Sequence, residues 1–123
     1  FDVNNLKVMN DTYGHEAGDK LLIKAANSIR KVTSNRVHGY RMGGDEFLMV
    51  ACNVSTEETQ TLLERWEKEL DRLNTPEDGI HCVIAVGVAF GKKEYNLPEL
   101  MKTADQLMYE DKKRKKKPGE EIR

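Results

Sequence analysis

No run of about 18 apolar residues occurs in the 123-residue chain, so no segment reads as a membrane span. Phe1-Asp2-Val3-Asn4 offers neither a basic start nor an apolar stretch of signal-peptide length, so any membrane anchoring of the parent protein would have to come from sequence outside this stretch. Cysteine is scarce as well. Cys52 and Cys82 each lie in an apolar, strand-like stretch without CxxC spacing, which predicts reduced core residues rather than a disulfide and fits a cytoplasmic setting. An excess of one charge is also missing, since 20 Lys and Arg stand against 21 Asp and Glu. The balance is uneven, however. Residues 112–123 form a basic tail with seven Lys or Arg and two Glu, a charge of +5, which leaves −6 on residues 1–111. An acidic body argues against a nucleic-acid face. The basic run at 112–117 reads as a solvated helix end complementing the helix dipole rather than as a nucleic-acid or lipid patch. With 38% hydrophobic and 33% charged residues, the chain is one rather polar domain, long enough for a sizeable core and too short for two.

Periodicity supplies the elements. Phe1-Asp2-Val3 looks like the end of a strand, and a strand feeding Asp2 would need about four or five further residues, so the chain is expected to be cut inside or just after its first strand. Ala17, Leu21, Leu22, Ala25, Ala26, Ile29 and Val32 recur at helical spacing. Residues 37–41 and 47–52 are β-prone runs on either side of Gly43-Gly44, a predicted hairpin. Ser55 and Glu58 have capping-box spacing and open a helix whose inner face would be Leu62, Leu63, Trp66, Leu70 and Leu73, ended by a loop at 75–79. Residues 80–90 are apolar on both faces and predict a long, central strand. Asn96 caps a last helix with Pro98 in its first turn and Leu97, Leu100, Met101, Ala104, Leu107 and Met108 inside. The order implies an α/β fold, helices packed on a mixed central sheet.

Residues 41–47, Arg41-Met42-Gly43-Gly44-Asp45-Glu46-Phe47, are the most informative stretch. Gly43 and Gly44 would supply the positive dihedrals of a tight hairpin and leave room for a ligand. Asp45 and Glu46 would repel each other at its tip unless a cation lay between them, and such hard oxygen ligands suit Mg²⁺ bridging phosphates. A solvated turn with surface acids is the alternative, and this stretch alone does not decide. A second cluster runs through residues 2–19. Asp2 stands at a strand end, Lys7 could hold a phosphate as a point charge, and an Asn and an Asp could read a base edge. Its plain reading is a polar loop with a helix cap. A third, residues 104–112, ends in basic residues that could close over a triphosphate, although alone it reads as an amphipathic helix with a charged end.

Together these blocks resemble the GGDEF family, the diguanylate cyclases that condense two GTP into cyclic di-GMP. The resemblance covers residues 1 to about 116, with Asp2 to Asp11, Gly14-His15 with Gly18-Asp19, Arg41 to Phe47, Val86-Gly87-Val88-Ala89 and Ala104 to Lys112 in family order. It implies a nucleotide-cyclase or palm-like sheet flanked by helices, without its upstream helix and most of the first strand. It further implies that Asp2, Asp45 and the Val3 carbonyl bind Mg²⁺, with Mn²⁺ as a substitute, that Glu46 serves a second ion, and that Asp45 or Glu46 assists deprotonation. Asn10 and Asp19 match guanine-binding positions, Gly43 and Gly44 lie against the nucleotide, and Lys7, Lys112 and Lys116 match phosphate contacts. Lys116 stands where Arg is usual and would act as a point charge instead of a fork. Each of two facing domains would bring one GTP, so a homodimer driven by an upstream sensory or dimerisation region is implied.

The sequence departs from the family at two places. The product-inhibition motif Arg-x-x-Asp would fall on Ser34 and Val37, and the nearby Arg36 has Gly39 where the Asp should be, so feedback through that motif is not expected. Asn4 and Leu6 replace an Asp and a Phe of the commoner opening block. His15 lacks a second ligand at metal spacing and reads as fixing a loop, while Trp66 reads as core. The rival function is a degenerate domain that senses GTP or cyclic di-GMP or only dimerises. A further alternative is a cyclase joining GTP and ATP, which Asp19 disfavours.

Overall fold

The structure, a computed structural model, describes residues 1–74 and 79–115. Its elements are β1 (Asp2–Val3), α1 (Leu6–Tyr13), α2 (His15–Arg30), β2 (Val37–Arg41), β3 (Phe47–Ala51), α3 (Thr56–Leu73), β4 (Ile84–Ala85) and α4 (Leu97–Lys115). The predicted α/β arrangement of a sheet flanked by helices is present. β2 and β3 form the hairpin, with Val37 opposite Ala51 and Arg41 opposite Phe47. β1 pairs antiparallel with β4 through Asp2 opposite Ala85 and Val3 opposite Ile84. On its other side β1 meets the start of β3 by a bridge between Asp2 and Glu46, and Phe47 donates its N–H to the Phe1 carbonyl at 2.9 Å. β1 therefore lies between β4 and the hairpin.

Helical periodicity turns into packing as expected for α2 and α3. Leu21, Ala25 and Ile29 of α2 and Trp66 and Leu70 of α3 join Val3, Phe47, Cys82 and Ile84 in the core. Trp66 brings a polar atom inside, and the pairing is complete: its Nε1–H donates to Ser28 Oγ at 2.9 Å, and that hydroxyl donates to the Ala25 carbonyl at 2.7 Å. Phe1 meets the Trp66 ring edge-on at 5.0 Å. The capping box of α3 is formed, Ser55 Oγ accepting from the Glu58 N–H and Glu58 accepting from the Ser55 N–H. Asn96 Oδ1 likewise accepts from the Glu99 N–H at the start of α4. No described helix is long and apolar enough to cross a membrane.

Four expectations need correction. The stretch expected to be a polar loop is helical from Leu6 to Tyr13; it buries no residue fully, and only Leu6 and Met9 lean on the core. The long strand at 80–90 keeps a ladder only at Ile84–Ala85, and β1 rather than β4 holds the middle. The inner face of α4 is half open: Met108 is buried, while Leu97, Met101 and Leu107 are exposed, because the helix leans on β4 through its C-terminal half. Cys82 is buried but Cys52 is exposed. It follows the last residue of β3 and precedes Asn53, whose left-handed φ of 56° turns the chain. Most of the loop at 75–79 and of the basic tail, residues 75–78 and 116–123, lie outside the described residues.

Candidate active site

Gly14, at φ 90°, lets the chain turn from α1 straight into α2. The turn folds Asn10 back over Gly18, where an added Cβ would stand 1.7 Å from the Asn10 Oδ1. Asn10 is half-buried on this seat and Asp19, the next residue after it on α2, is exposed. Lys7 lies three positions before Asn10 on α1, on a neighbouring part of the same face, with its side chain exposed. The two base-reading candidates are thus brought together by a glycine that the sequence offered only as part of a motif.

The hairpin tip is held by its own chain. Met42 N–H donates to the Glu46 carbonyl at 2.9 Å, and Arg41 donates from Nε to the Gly43 carbonyl at 3.1 Å and from Nη2 to the Gly44 carbonyl at 2.9 Å. Spacing alone gave no hint of this role for Arg41. Gly43 and Gly44 depart from expectation, since neither adopts a positive φ. A Cβ on either would meet nothing within 4 Å. What the glycines leave beside the tip is open space, not a strained turn.

β1 and the tip meet directly. Val3 N–H donates to the Asp45 carbonyl at 2.8 Å, and Asp2 lies opposite Glu46. Asp45 and Glu46 are half-buried, while Asp2 is 1% exposed. A carboxylate so deep needs positive charge beside it. Lys112 supplies that charge, its Nζ 3.1 Å from Asp2 Oδ2. The end of α4 that carries Lys112 is stitched to the strand it covers. Asp111 Oδ2 accepts the Val86 N–H at 2.9 Å, and Lys115 donates to the Ile84 carbonyl at 2.8 Å. Burial alone would raise the Asp111 pKa, but Lys115 and the Val86 N–H outweigh it and hold the carboxyl below its usual range. Gly87 lets this helix approach, and an added Cβ there would stand 1.9 Å from the Ala104 carbonyl oxygen.

Asp2, Val3, Asp45, Glu46 and Lys112 therefore share one junction, and Lys116 lies outside the described residues. The ligating atoms offered by Asp2, Asp45, Glu46 and the Val3 carbonyl are all oxygen, a chemistry that suits a hard divalent ion. Among the described residues, no three carboxylate, imidazole or thiol groups are gathered closely enough to hold a metal by themselves. His15 is exposed at the start of α2. At the place of the product-inhibition motif, Ser34 and Val37 bridge each other through their backbones, and Arg36 is paired with Glu58 at 3.1 Å.

Comparison with known proteins agrees with the motif order. The family described as diguanylate cyclase, GGDEF domain, matches residues 1–118. A curated relative, diguanylate cyclase A of Treponema denticola, is 30% identical over 114 residues, which is 90% of this chain and 31% of that protein. The chain spans well under half the length of the curated relatives it matches. The active GGEEF domain of a diguanylate cyclase from Vibrio cholerae superposes with a TM-score of 0.77 at 27% identity, covering 93% of this chain and 74% of that one. The GGDEF domain of DgcB from Caulobacter crescentus in complex with c-di-GMP gives a TM-score of 0.80 at 25% identity, covering 94% and 70%.

Proposed function

The chain belongs to the diguanylate cyclase GGDEF domain family, and from that membership we propose that residues 1–123 belong to the catalytic domain of a cytoplasmic enzyme that joins two GTP into cyclic di-GMP. In each half-reaction the 3′-hydroxyl oxygen of one GTP forms a bond to the α-phosphorus of the other. The bond from that phosphorus to the β-phosphate bridging oxygen breaks, pyrophosphate leaves with the bonding electrons, and the hydroxyl proton passes to a base. Asp45 or Glu46 takes that role. A Mg²⁺ ion, or Mn²⁺, held by Asp2, Asp45, Glu46 and the Val3 carbonyl would supply acidification of the attacking hydroxyl and neutralisation of the leaving group.

The remaining work belongs to the chain itself. Asn10 and Asp19 hold guanine, and a site built to satisfy that donor pattern disfavours adenine, which would leave its groups unpaired. Lys7, Lys112 and Lys116 bind the phosphates, and the open space at Gly43 and Gly44 admits the nucleotide backbone. Because each domain presents one GTP, turnover requires a homodimer, with an upstream sensory or dimerisation region setting its concentration. Ser34 and Val37 leave the domain without Arg-x-x-Asp feedback.

The junction of β1 with the hairpin tip carries this reading, since it places the buried Asp2 beside Glu46 and the Asp45 backbone. One observation favours the rival: the carboxylates are not gathered into a cluster of three, as a domain that only binds nucleotide would also show. Product analysis by mass spectrometry after incubation with GTP and Mg²⁺ separates them. The cyclase makes cyclic di-GMP, with a rate that rises as the square of protein concentration below the dimer constant, and Asp45→Ala makes none. GTP binding without product, in a protein shown to be dimeric, would leave the sensor reading.

A further inference from the structure

Asp2 and Lys112 form a buried ion pair, the two side chains 1% and 9% exposed with 3.1 Å between Oδ2 and Nζ. Both partners stand on fixed backbone. Asp2 is fixed by Ala85 on one side and Glu46 on the other. Lys112 sits on the turn of α4 that is tied to Val86 through Asp111 and to Ile84 through Lys115. The backbone beneath that helix is also fixed, because α4 lies directly on Gly87. An ammonium group therefore stands against the very carboxylate that the proposed cyclase reading assigns to metal.

We propose that Lys112 is a place-holding cation, neutralising Asp2 until a divalent metal arrives together with a polyphosphate. The inference rests on the reading of Asp2 as a metal ligand. A divalent ion on Asp2 would stand within a few ångströms of the Nζ in its present position, and such a pair of cations repels strongly at a site shielded from water. The lysine stem is long and flexible enough to carry the ammonium away. Moving it away from a buried carboxylate is costly unless new anionic oxygens receive it. The phosphate chain of a nucleotide offers those oxygens. Metal alone must evict Lys112 with nothing to replace its partner, whereas metal and polyphosphate together exchange one ion pair for two. The coupling is reciprocal, so the phosphate chain also binds more tightly with metal than without. An empty domain would stay clear of adventitious metal, and the ion would load with substrate.

The test uses Mn²⁺ alone as probe, followed by electron paramagnetic resonance of the free ion. Lys112→Met should bind Mn²⁺ on the order of tenfold more tightly than the unaltered protein or more, because the competing charge is gone. Lys112→Arg should keep the weak binding, and Asp2→Asn should abolish the gain in the Lys112→Met background. Equal Mn²⁺ affinity in the unaltered protein and Lys112→Met overturns the proposal. Thermal melting of the unaltered protein tests it without a variant. Mn²⁺ alone should leave the melting temperature unchanged, and Mn²⁺ with a non-hydrolysable GTP analogue should raise it; a rise with Mn²⁺ alone as large as that with both overturns the place-holder role. If Mn²⁺ fails to bind in every form, even with the analogue present, the metal assignment of Asp2 itself falls, and the proposal with it.

Discussion

Gly87→Ala tests the contact that brings α4 to the site. A Cβ at this position would stand 1.9 Å from the Ala104 carbonyl oxygen, 2.3 Å from the Met108 nitrogen and 2.9 Å from the Leu107 carbonyl carbon. All three are helix backbone and cannot rotate aside. Ordinary contact begins at 3.4 Å, so α4 and the Gly87 backbone must part by about 1.5 Å. Overpacking of this kind costs about 1–3 kcal/mol, and rigid backbone puts this case at the upper end. Loss of glycine's freedom in the unfolded chain returns about 0.4–1 kcal/mol. A net loss of about 2 kcal/mol follows. Urea unfolding followed by fluorescence of Trp66, the sole tryptophan and 2% exposed, measures it directly. The same displacement would carry Lys112 away from the site where it is to receive the phosphates, so nucleotide affinity should fall as well. A variant within about 0.5 kcal/mol of the original, with unchanged nucleotide binding, would show that α4 does not rest on Gly87 in this way.

Gly18→Ala should separate stability from recognition. The atom a new Cβ would meet is the Asn10 Oδ1, the movable end of a side chain, so stability should hold or rise by up to about 1 kcal/mol through helix propensity, while calorimetry with a GTP analogue should show binding weaker by about tenfold. Ser28→Ala leaves the Trp66 Nε1–H buried without its acceptor and should cost about 1–3 kcal/mol in urea unfolding, with Ser28→Ala/Trp66→Phe costing less than the sum of the single changes. Burial pushes the Cys82 thiol up to about 12, against the opposing charge of Lys24. A thiol reagent near neutral pH should therefore label exposed Cys52 in the native protein and Cys82 only after unfolding. Because the folded state keeps Cys82 protonated, stability should decline as pH rises from 9.0 toward 12, where the unfolded chain alone ionises; a flat profile over that range would contradict the burial argument.

The elements that were legible in the sequence are those whose stabilising groups lie close together along it. Ser55 and Glu58 announce α3 because their capping box spans a single turn, and Leu21, Ala25 and Ile29 announce α2 because each returns to the same buried stripe. α1 is less legible because its contact with the core is limited to the half-buried Leu6 and Met9 and it starts at Asn5, whose φ of 63° comes with no side-chain cap. Residues 80–90 suggest a longer strand than the ladder at Ile84–Ala85 supports, since apolar composition reports burial beneath a helix as readily as pairing in a sheet. At the candidate site, the motif order singles out Asp2, Asp45 and Lys112, but it does not say that Lys112 reaches Asp2 across 110 positions of sequence. The reasons for Gly18 and Gly87 were equally hidden, since each glycine answers to a group on another element.

A crystal structure of the protein with Mg²⁺ and a non-hydrolysable GTP analogue tests the central claim, that β1 and the hairpin tip form one metal and nucleotide site. Mg²⁺ is expected at about 2.1 Å from oxygens of Asp2 and Asp45, with guanine against Asn10 and Asp19 and the Lys112 ammonium moved from Asp2 to the phosphates. A nucleotide seated elsewhere, or Mg²⁺ held by phosphates alone with Lys112 still on Asp2, would contradict it.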